Sequence, residues 1–322
     1  MKRFKNILMI CDDQGLHDAT IGRAIWLAKA NDARITLVDI VDTAPGDLTR
    51  KFAALPGSRS YDFEYEVLEL HRTRLREVAG AFRAEKIDTT ELVLQGTPFI
   101  EIIKQVLRAE HDLVLKGVDQ PSDAKSFFFS STHLHLLRKC PCPVWIIKKS
   151  RRRQYARVLA AVDPDPTDPG RHALNRLIMD LATSLSRMDG SELHVLNAWG
   201  FGEETTLRHS AFLKISEEDL ETLIEEERKR SVARLEQLLS NYPDDGPGSA
   251  PHRQIHLIKG DAPQVIPEFA RKRRVELIVM GTVARTGISG LFIGNTAESI
   301  LNQIECSILA VKPPGFETPV KL

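Results

Sequence analysis

An internal repeat is the feature that most constrains the fold of this chain. The run TTELVLQG, which ends at Gly96, corresponds to HRQIHLIKG, which ends at Gly260. The next apolar run of each copy also ends in a glycine, Gly117 in the first copy and Gly281 in the second. The spacing from Gly96 to Gly117 equals the spacing from Gly260 to Gly281. One constant offset relates Gly117 to Gly281 and Cys142 to Cys306, since 281 minus 117 equals 306 minus 142. An offset shared by several elements indicates two copies of one structural unit.

Each copy alternates short apolar runs with segments of helical periodicity. Runs such as LVLK, LIVM, VWII and ILAV are apolar throughout, so they predict strands buried on both faces. Such strands are typical of a parallel sheet covered by helices. We therefore expect an α/β chain with two domains, 1–150 and 155–322, each with a parallel sheet of five strands and flanking helices. The length of 322 residues suits two domains of about 150 residues.

The connection between the copies is basic. The stretch KKSRRRQYA at 148–156 has five basic residues with no aromatic residue between them, and the whole chain has 44 basic and 44 acidic residues, a net charge of zero. We therefore interpret it as a solvated linker and expect no nucleic-acid partner.

Local signals refine the second copy. Ser216, with Asp219 three residues later, predicts the start of a long helix, because a serine hydroxyl accepts from the first free backbone N–H groups. The segments 43–60 and 200–214 lack clear periodicity and are expected to be loops.

The chain shows no targeting or membrane signal. Its apolar N-terminal run is too short for a signal peptide, and no window approaches the roughly 18 apolar residues of a membrane span. The four cysteines lack CxxC spacing, which favours reduced thiols in a cytoplasmic protein. A zinc site formed by Cys140, Cys142 and His135 is the alternative for two of them.

The stretch GTVARTGISGLFIGNTAE, 281–298, is the main candidate site. It follows a predicted strand that ends at Met280, and a predicted helix begins near Gly294. Unpaired N–H groups at a helix N-terminus suit phosphate oxygens, and glycines let a ligand approach the backbone. Asp163, after the first strand of this copy, is expected at the same sheet edge. The pattern alone leaves open whether the loop binds phosphate or only connects a strand to a helix.

The pattern resembles the nucleotide loop of the universal stress protein family, G-x2-G-x9-G-(S/T) after a strand. The run VLAAVD resembles the first strand of that family, and the resemblance spans both copies. It implies a tandem member with two Rossmann-like domains, in which the fifth strands, VWIIK and ILAVK, pair to form an intramolecular pseudo-dimer.

The resemblance also implies an adenine-nucleotide site in the second copy, for ATP with magnesium. The implied residues, from the base and ribose to the phosphates, are Asp163, Ala198, Met280, Gly281, Val283, Ala284, Gly294, Asn295 and Thr296. Two of them depart from the family pattern. Ala284 stands where the family has its second glycine, and Asn295 stands where it has serine or threonine. Both departures are expected to weaken binding rather than abolish it.

The first copy departs much further from the pattern. At the shared offset Gln120, Asp123 and Ser130 replace Ala284, Gly287 and Gly294. Asp123 would repel a polyphosphate, so we expect no nucleotide in this copy. The sequence is compatible with two roles for the run Phe127-Phe128-Phe129: packing in the core, or lining a groove for an apolar ligand.

No sequence motif indicates an established catalytic mechanism, since both G-x-S-x-G and G-x4-G-K-(S/T) are missing. The leading hypothesis is a non-enzymatic stress-response protein that binds adenine nucleotide in its second copy. One alternative is a scaffold or a binder of small, lipid-like apolar ligands. A further alternative is a slow magnesium-dependent ATPase that uses Asp163. Association of two chains into a homodimer is left open.

Overall fold

The computed structural model describes most of the chain. The described residues are 3–12, 16, 18–42, 60–118, 131–148, 154–202, 204–209, 216–243, 252–282 and 294–322.

In the described residues the two copies contribute the same series of strands and helices, except for one additional short helix in the second copy. In the first copy these elements are β1 Asn6–Ile10, α1 Asp18–Asn31, β2 Arg34–Val41, α2 Ser60–Ala84, β3 Thr89–Gln95, α3 Pro98–Ala109, β4 Leu113–Val118, α4 Ser131–Lys139 and β5 Val144–Lys148. In the second copy they are β6 Arg157–Ala161, α5 Pro169–Asp189, β7 Glu192–Trp199, α6 Glu204–His209, α7 Glu217–Leu239, β8 Arg253–Lys259, α8 Ala262–Arg273, β9 Leu277–Gly281, α9 Asn295–Leu301 and β10 Ser307–Val311.

All these strands belong to one ten-stranded sheet. Its order is β3-β2-β1-β4-β5-β10-β9-β6-β7-β8, and strands are parallel within each copy. The copies join where β5 pairs antiparallel with β10, with Trp145 opposite Leu309. The predicted α/β fold and the pairing of VWIIK with ILAVK are therefore confirmed.

Helices cover both faces of the sheet, and each face has a core that runs through both copies. One core contains buried residues of α1, α2, α5 and α7, and the other contains buried residues of α3, α4, α8 and α9. Strands covered on both faces must be apolar throughout, and β1, β5 and β10 are buried along their whole length. The continuous apolar runs of the sequence therefore follow from this layered packing.

The repeated glycines have a conformational reason. Gly96 and Gly260 have φ angles of +129° and +140°, which residues with a side chain rarely adopt, and each lies between a strand and the next helix. At the start of α7, Ser216 accepts a hydrogen bond from the backbone N–H of Asp219, as predicted.

The loop predicted over 200–214 is wrong at residues 204–209, where the chain forms α6. This helix is too short to show an apolar periodicity. Its Glu204 accepts from Lys259 and Arg208, so charged contacts accompany it instead. Residues 43–59 of the other predicted loop lie outside the described residues.

A buried ion pair links the two copies beside the β5–β10 seam. The Arg23 guanidinium donates to both carboxylate oxygens of Asp189 at 2.8 Å and 2.6 Å, and both side chains are almost fully buried. Arg23 also lies 4.3 Å from the ring of Tyr155, whose backbone N–H donates to the same carboxylate. A bidentate pair between α1 and α5 therefore fixes one copy against the other.

Two buried lysines at equivalent positions also reach across the seam. Lys148 ends β5 and donates to the carbonyl of Ile304, beyond the end of α9. Lys312, its counterpart in the second copy, donates to the carbonyl of Leu137 in the last turn of α4, and to the hydroxyl of Thr282. Burial lowers the pKa of each lysine to about 8. Carbonyl groups near helix C-termini are favourable partners for cations. In each of the two contacts the lysine belongs to one copy and the accepting carbonyl belongs to the other.

Replacing Arg23 by methionine should destabilise the protein by roughly 3–5 kcal/mol, because it leaves the Asp189 carboxylate buried without its charge partner. Urea unfolding would measure the loss. The double variant Arg23→Met/Asp189→Asn should recover part of it, since no uncompensated charge remains. Arg228→Met, which breaks an exposed pair with Glu225 on α7, is the matched control and should leave the midpoint unchanged. If Arg23→Met and Arg228→Met lose equally little stability, the proposed role of the buried pair is contradicted.

Lys148 should make stability depend on pH in the alkaline range. Burial lowers its pKa in the folded state from 10.5 to about 8, and the nearby Glu305 and Cys306 only partly oppose this shift. Between these values the unfolded chain binds more protons, so the free energy of unfolding contributed by this group rises as pH increases. Below about pH 8 the cost of burying the charge is fully present.

Chemical unfolding of wild type and Lys148→Met between about pH 7 and about pH 10 would test this, because methionine does not titrate. As pH rises, the free energy of unfolding of wild type should increase relative to that of Lys148→Met by roughly 1–3 kcal/mol. A difference that is independent of pH would contradict the assigned burial of the charge.

Candidate nucleotide site

The candidate site lies at the carboxyl edge of the second half of the sheet. From β6 the chain proceeds outward through β7 to β8 and then returns to β9 on the other side of β6. The strand order therefore reverses between β6 and β9, and crevices at such points are where open α/β sheets bind ligands. Asp163 follows β6, and Gly281 ends β9 at the same edge.

Asp163 has an arginine partner that the sequence pattern did not indicate. Its carboxylate accepts from Arg171 at 2.7 Å, and the same guanidinium donates to Asp165 at 2.7 Å. The Asp163 side chain remains 44% exposed, so it is accessible from solvent. Arg171 lies in the first turn of α5, where the carboxylate of Asp168 caps the helix by accepting from the N–H groups of Gly170 and Arg171.

Asn175 holds the backbone of Asp163 in place. Its side-chain oxygen accepts from the Asp163 N–H at 2.7 Å, and its amide donates to the Asp163 carbonyl at 2.9 Å. Asn175 is buried, so this double contact fixes where the aspartate leaves the strand. One helical turn separates Arg171 from Asn175, and that spacing is the only sequence signal that could have identified them.

Gly281 is explained by packing as well as by its place in the loop. A Cβ at this position would lie 2.7 Å from Cδ2 of Leu174 on α5, so the missing side chain lets that helix approach the end of β9. The next residue, Thr282, is buried and donates its hydroxyl hydrogen to the Leu137 carbonyl. The start of the loop is therefore attached to the first copy.

The far end of the loop returns to the same strand end. The Gly294 N–H donates to the Thr282 carbonyl at 3.3 Å, and α9 begins at Asn295, as predicted. Gly294 is the N-cap and offers no side chain to cap the helix. Asn295 is exposed and Thr296 is half-buried. Val283 and Ala284 lie outside the described residues, as does Gly287.

The two remaining predicted residues occupy different environments. Ala198 is half-buried near the end of β7, the strand beside β6. Met280 is buried, and its side chain belongs to the core on the α9 face of the sheet. Only the backbone of Met280 therefore lies at the sheet edge, just before Gly281 and Thr282.

The equivalent edge of the first copy is arranged differently. Lys116, on β4, corresponds to Met280 at the shared offset, and its buried ammonium group pairs with Asp12, which follows β1. Burial and the charge of Lys116 lower the pKa of the neighbouring His133 to about 3. The residues at 119–130, which include Gln120, Asp123 and Phe127–Phe129, lie outside the described residues.

A second cluster of polar side chains lies on the neighbouring strand of the first copy. The carboxylate of Asp39, on β2, contacts His71 Nδ1 at 2.6 Å and accepts from Arg74 Nε at 3.1 Å. Burial raises the pKa of Asp39, and the contacts with His71 oppose that rise. The edge of the first copy is therefore filled by internally paired charges.

The residues that the structure describes contain no group of three or more histidine, cysteine or acidic side chains placed to hold a metal ion. His135, named in the zinc alternative, stacks on Phe99 with ring centroids 4.2 Å apart. All four cysteines are free thiols, as predicted, and three of them are buried. In the same described residues, no helix is both long and apolar enough to cross a membrane.

Comparison with known proteins identifies the family. The universal stress protein family matches the chain twice, over residues 3–148 and 154–312. The chain therefore belongs to the universal stress protein family and carries its domain in two copies. The general role of this family is in the stress response.

Relatives of the same length support the tandem organisation. Universal stress protein E of Escherichia coli K12 is 27% identical over 340 residues, which cover 100% of this chain and 98% of that protein. The universal stress protein E homolog of Haemophilus influenzae is 23% identical and covers 97% of this chain and 98% of that protein. A putative universal stress protein from Pseudomonas aeruginosa has the same fold, with a TM-score of 0.70 and 23% identity over 97% of this chain and 94% of that chain.

Proposed function

We propose that this protein acts in the stress response by binding an adenine nucleotide in its second copy only, without catalysing a reaction of its own. The observation that carries this proposal is the convergence of three groups at the β6–β9 edge. These are the exposed acceptor Asp163, the cation Arg171 and the start of α9 at Gly294.

The described residues fit the parts of such a ligand. The Asp163 carboxylate suits a ribose hydroxyl, because a carboxylate accepts from hydroxyl groups. Gly294 provides no side-chain cap for the first turn of α9, whose N–H groups suit phosphate oxygens, and Arg171 adds a positive charge. Magnesium would arrive with the phosphates, since the described residues hold no metal-binding cluster of their own.

The first copy has a buried lysine at the edge of the sheet that corresponds to the proposed site. Lys116 occupies the edge and neutralises Asp12, so the counterpart of Asp163 is already paired with a buried cation. Asp163 is paired as well, but its partner Arg171 is 30% exposed and can itself contact a ligand, whereas Lys116 is 1% exposed. This contrast supports a division in which one copy binds the ligand and the other serves as a scaffold.

The reduced thiols are consistent with action in the cytoplasm, where disulfides are rare. The ATPase alternative is less well supported, because Asp163 is bound to Arg171 and not to a group that could activate water.

Equilibrium dialysis of labelled ATP against wild type and Gly294→Asp tests the proposed site. Gly294 has extended backbone angles (φ −61°, ψ 136°), which suit an aspartate cap, so the variant should fold with unchanged or higher stability. The added negative charge should weaken ATP binding by at least ~10-fold through repulsion of the phosphates. Gly294→Asn, a neutral cap of the same size, is the matched control and should bind within a few-fold of wild type.

Equal uptake by wild type and Gly294→Asp would place the nucleotide elsewhere. No uptake by wild type would reject nucleotide binding altogether. In that event native mass spectrometry of freshly purified protein would test the alternative, because a small apolar ligand or a second chain would add its own mass.

A further inference from the structure

Two cysteines lie side by side at the seam between the copies. Cys140 follows α4, Cys142 precedes β5, and the backbone bends at Pro141 and Cys142 between them. This bend brings the two Sγ atoms to 3.6 Å, while both side chains remain buried. A disulfide bond is about 2.0 Å long, so a small rearrangement would join them. The nucleotide site described above does not use either thiol.

A cation from the other copy lies near this pair. Lys312 is buried at the end of β10, and its ammonium group is held by the Leu137 carbonyl and the Thr282 hydroxyl. Burial raises the pKa of the Cys140 thiol, but the hydrogen bond from Cys142 and the charge of Lys312 together bring it below its ordinary value. The hydrogen bond to Cys140 raises the pKa of Cys142. The pair therefore consists of one thiol that favours ionisation and one that stays protonated.

A cavity gives small molecules a route to the seam. Its volume is about 290 Å³, and its wall includes Pro141 and Pro143, on either side of Cys142, together with Lys312. Pro313 and Phe316 from the C-terminal segment close another side. A cavity of this size accommodates several water-sized molecules, so a hydroperoxide fits beside the segment that carries the cysteines.

We propose that Cys140 and Cys142 form a peroxide-sensitive dithiol that converts to an intramolecular disulfide, with Lys312 as the residue that positions and stabilises the reactive thiolate. The Cys140 thiolate attacks one oxygen of a hydroperoxide, the O–O bond breaks, and the other oxygen leaves as hydroxide or alkoxide and takes up a proton. Cys140 is then a sulfenic acid. The Cys142 sulfur attacks the Cys140 sulfur, and the S–O bond breaks. Water leaves with the thiol proton, so the cysteines lose two electrons and the peroxide gains them.

The other two cysteines provide internal controls. Burial raises the pKa of Cys11 far above its ordinary value and raises that of Cys306 to about 12. Cys306 corresponds to Cys142 at the shared offset, but Ile304 stands at the position of Cys140, so the second copy has no partner thiol there. Both controls should therefore react more slowly than the pair.

Peptide mass spectrometry tests the proposal on the intact protein. After treatment with hydrogen peroxide, free thiols are blocked by an alkylating reagent and the protein is digested with trypsin. Cleavage after Lys139 and Lys148 places both cysteines in one peptide, CPCPVWIIK. This peptide should lose two hydrogens and take up no alkyl group, while the peptides with Cys11 and Cys306 are still alkylated. If instead CPCPVWIIK remains doubly alkylated, or gains oxygen atoms without losing the two hydrogens, the proposed site is wrong.

The role of Lys312 is tested by a pair of matched variants. Lys312→Met should slow oxidation of the pair by ~10-fold, because it removes the charge that stabilises the thiolate. Lys148→Met removes the equivalent buried lysine on the other side of the seam and should leave this rate within about twofold of wild type. Oxidation of Cys306 in the same samples reports general loosening of the fold. Equal rates in the two variants, or a Lys312→Met effect that Cys306 shares, would overturn the assignment.

Discussion

The antiparallel pairing of β5 with β10 is the interaction on which the rest of the structure depends. Both strands are buried along their length, so each would expose an apolar edge if its copy stood alone. Pairing removes both edges and merges two five-stranded sheets into one sheet of ten strands. It also brings the C-terminal ends of α4 and α9 within reach of the lysines that follow the opposite strand.

The seam and the candidate site are physically connected. Thr282 begins the loop of the second copy, yet its hydroxyl lies between the Leu137 carbonyl of the first copy and the ammonium group of Lys312. The same lysine lies beside the Cys140–Cys142 pair. A change in the charge of the thiols would therefore be felt at the residue that leads from β9 into the loop, through one hydrogen-bonded lysine.

Much of this architecture could be predicted because the sequence features of one copy recur in the other. One constant offset aligned strands, glycines and cysteines, and continuous apolar runs are sufficient to predict strands that are covered on both faces. The pairing of the fifth strands came from the family resemblance, since two apolar strands do not by themselves specify which edge they share. Helix α6 was missed because so short a segment cannot show a helical period.

The contacts that define the site were much harder to predict. Arg171 and Asn175 converge on Asp163 from a helix, and their identity depends on how α5 packs against β6. The Arg23–Asp189 pair joins residues from opposite halves of the chain, which no local pattern can connect. Lys116 appears in the sequence only as one polar residue in an apolar run, and its pairing with Asp12 depends on how β1 and β4 lie side by side. Sequence periodicity therefore predicts elements, whereas charge partners across elements require the fold.

We propose that one duplicated scaffold carries a single nucleotide site. Hydrogen–deuterium exchange with and without saturating ATP tests it most directly, because it reports on both copies in one sample. We expect slower exchange at the ends of β6 and β9 and in the first turn of α9, with no change around Asp12 and Lys116. Equal protection at both edges, or none at either, would contradict this claim.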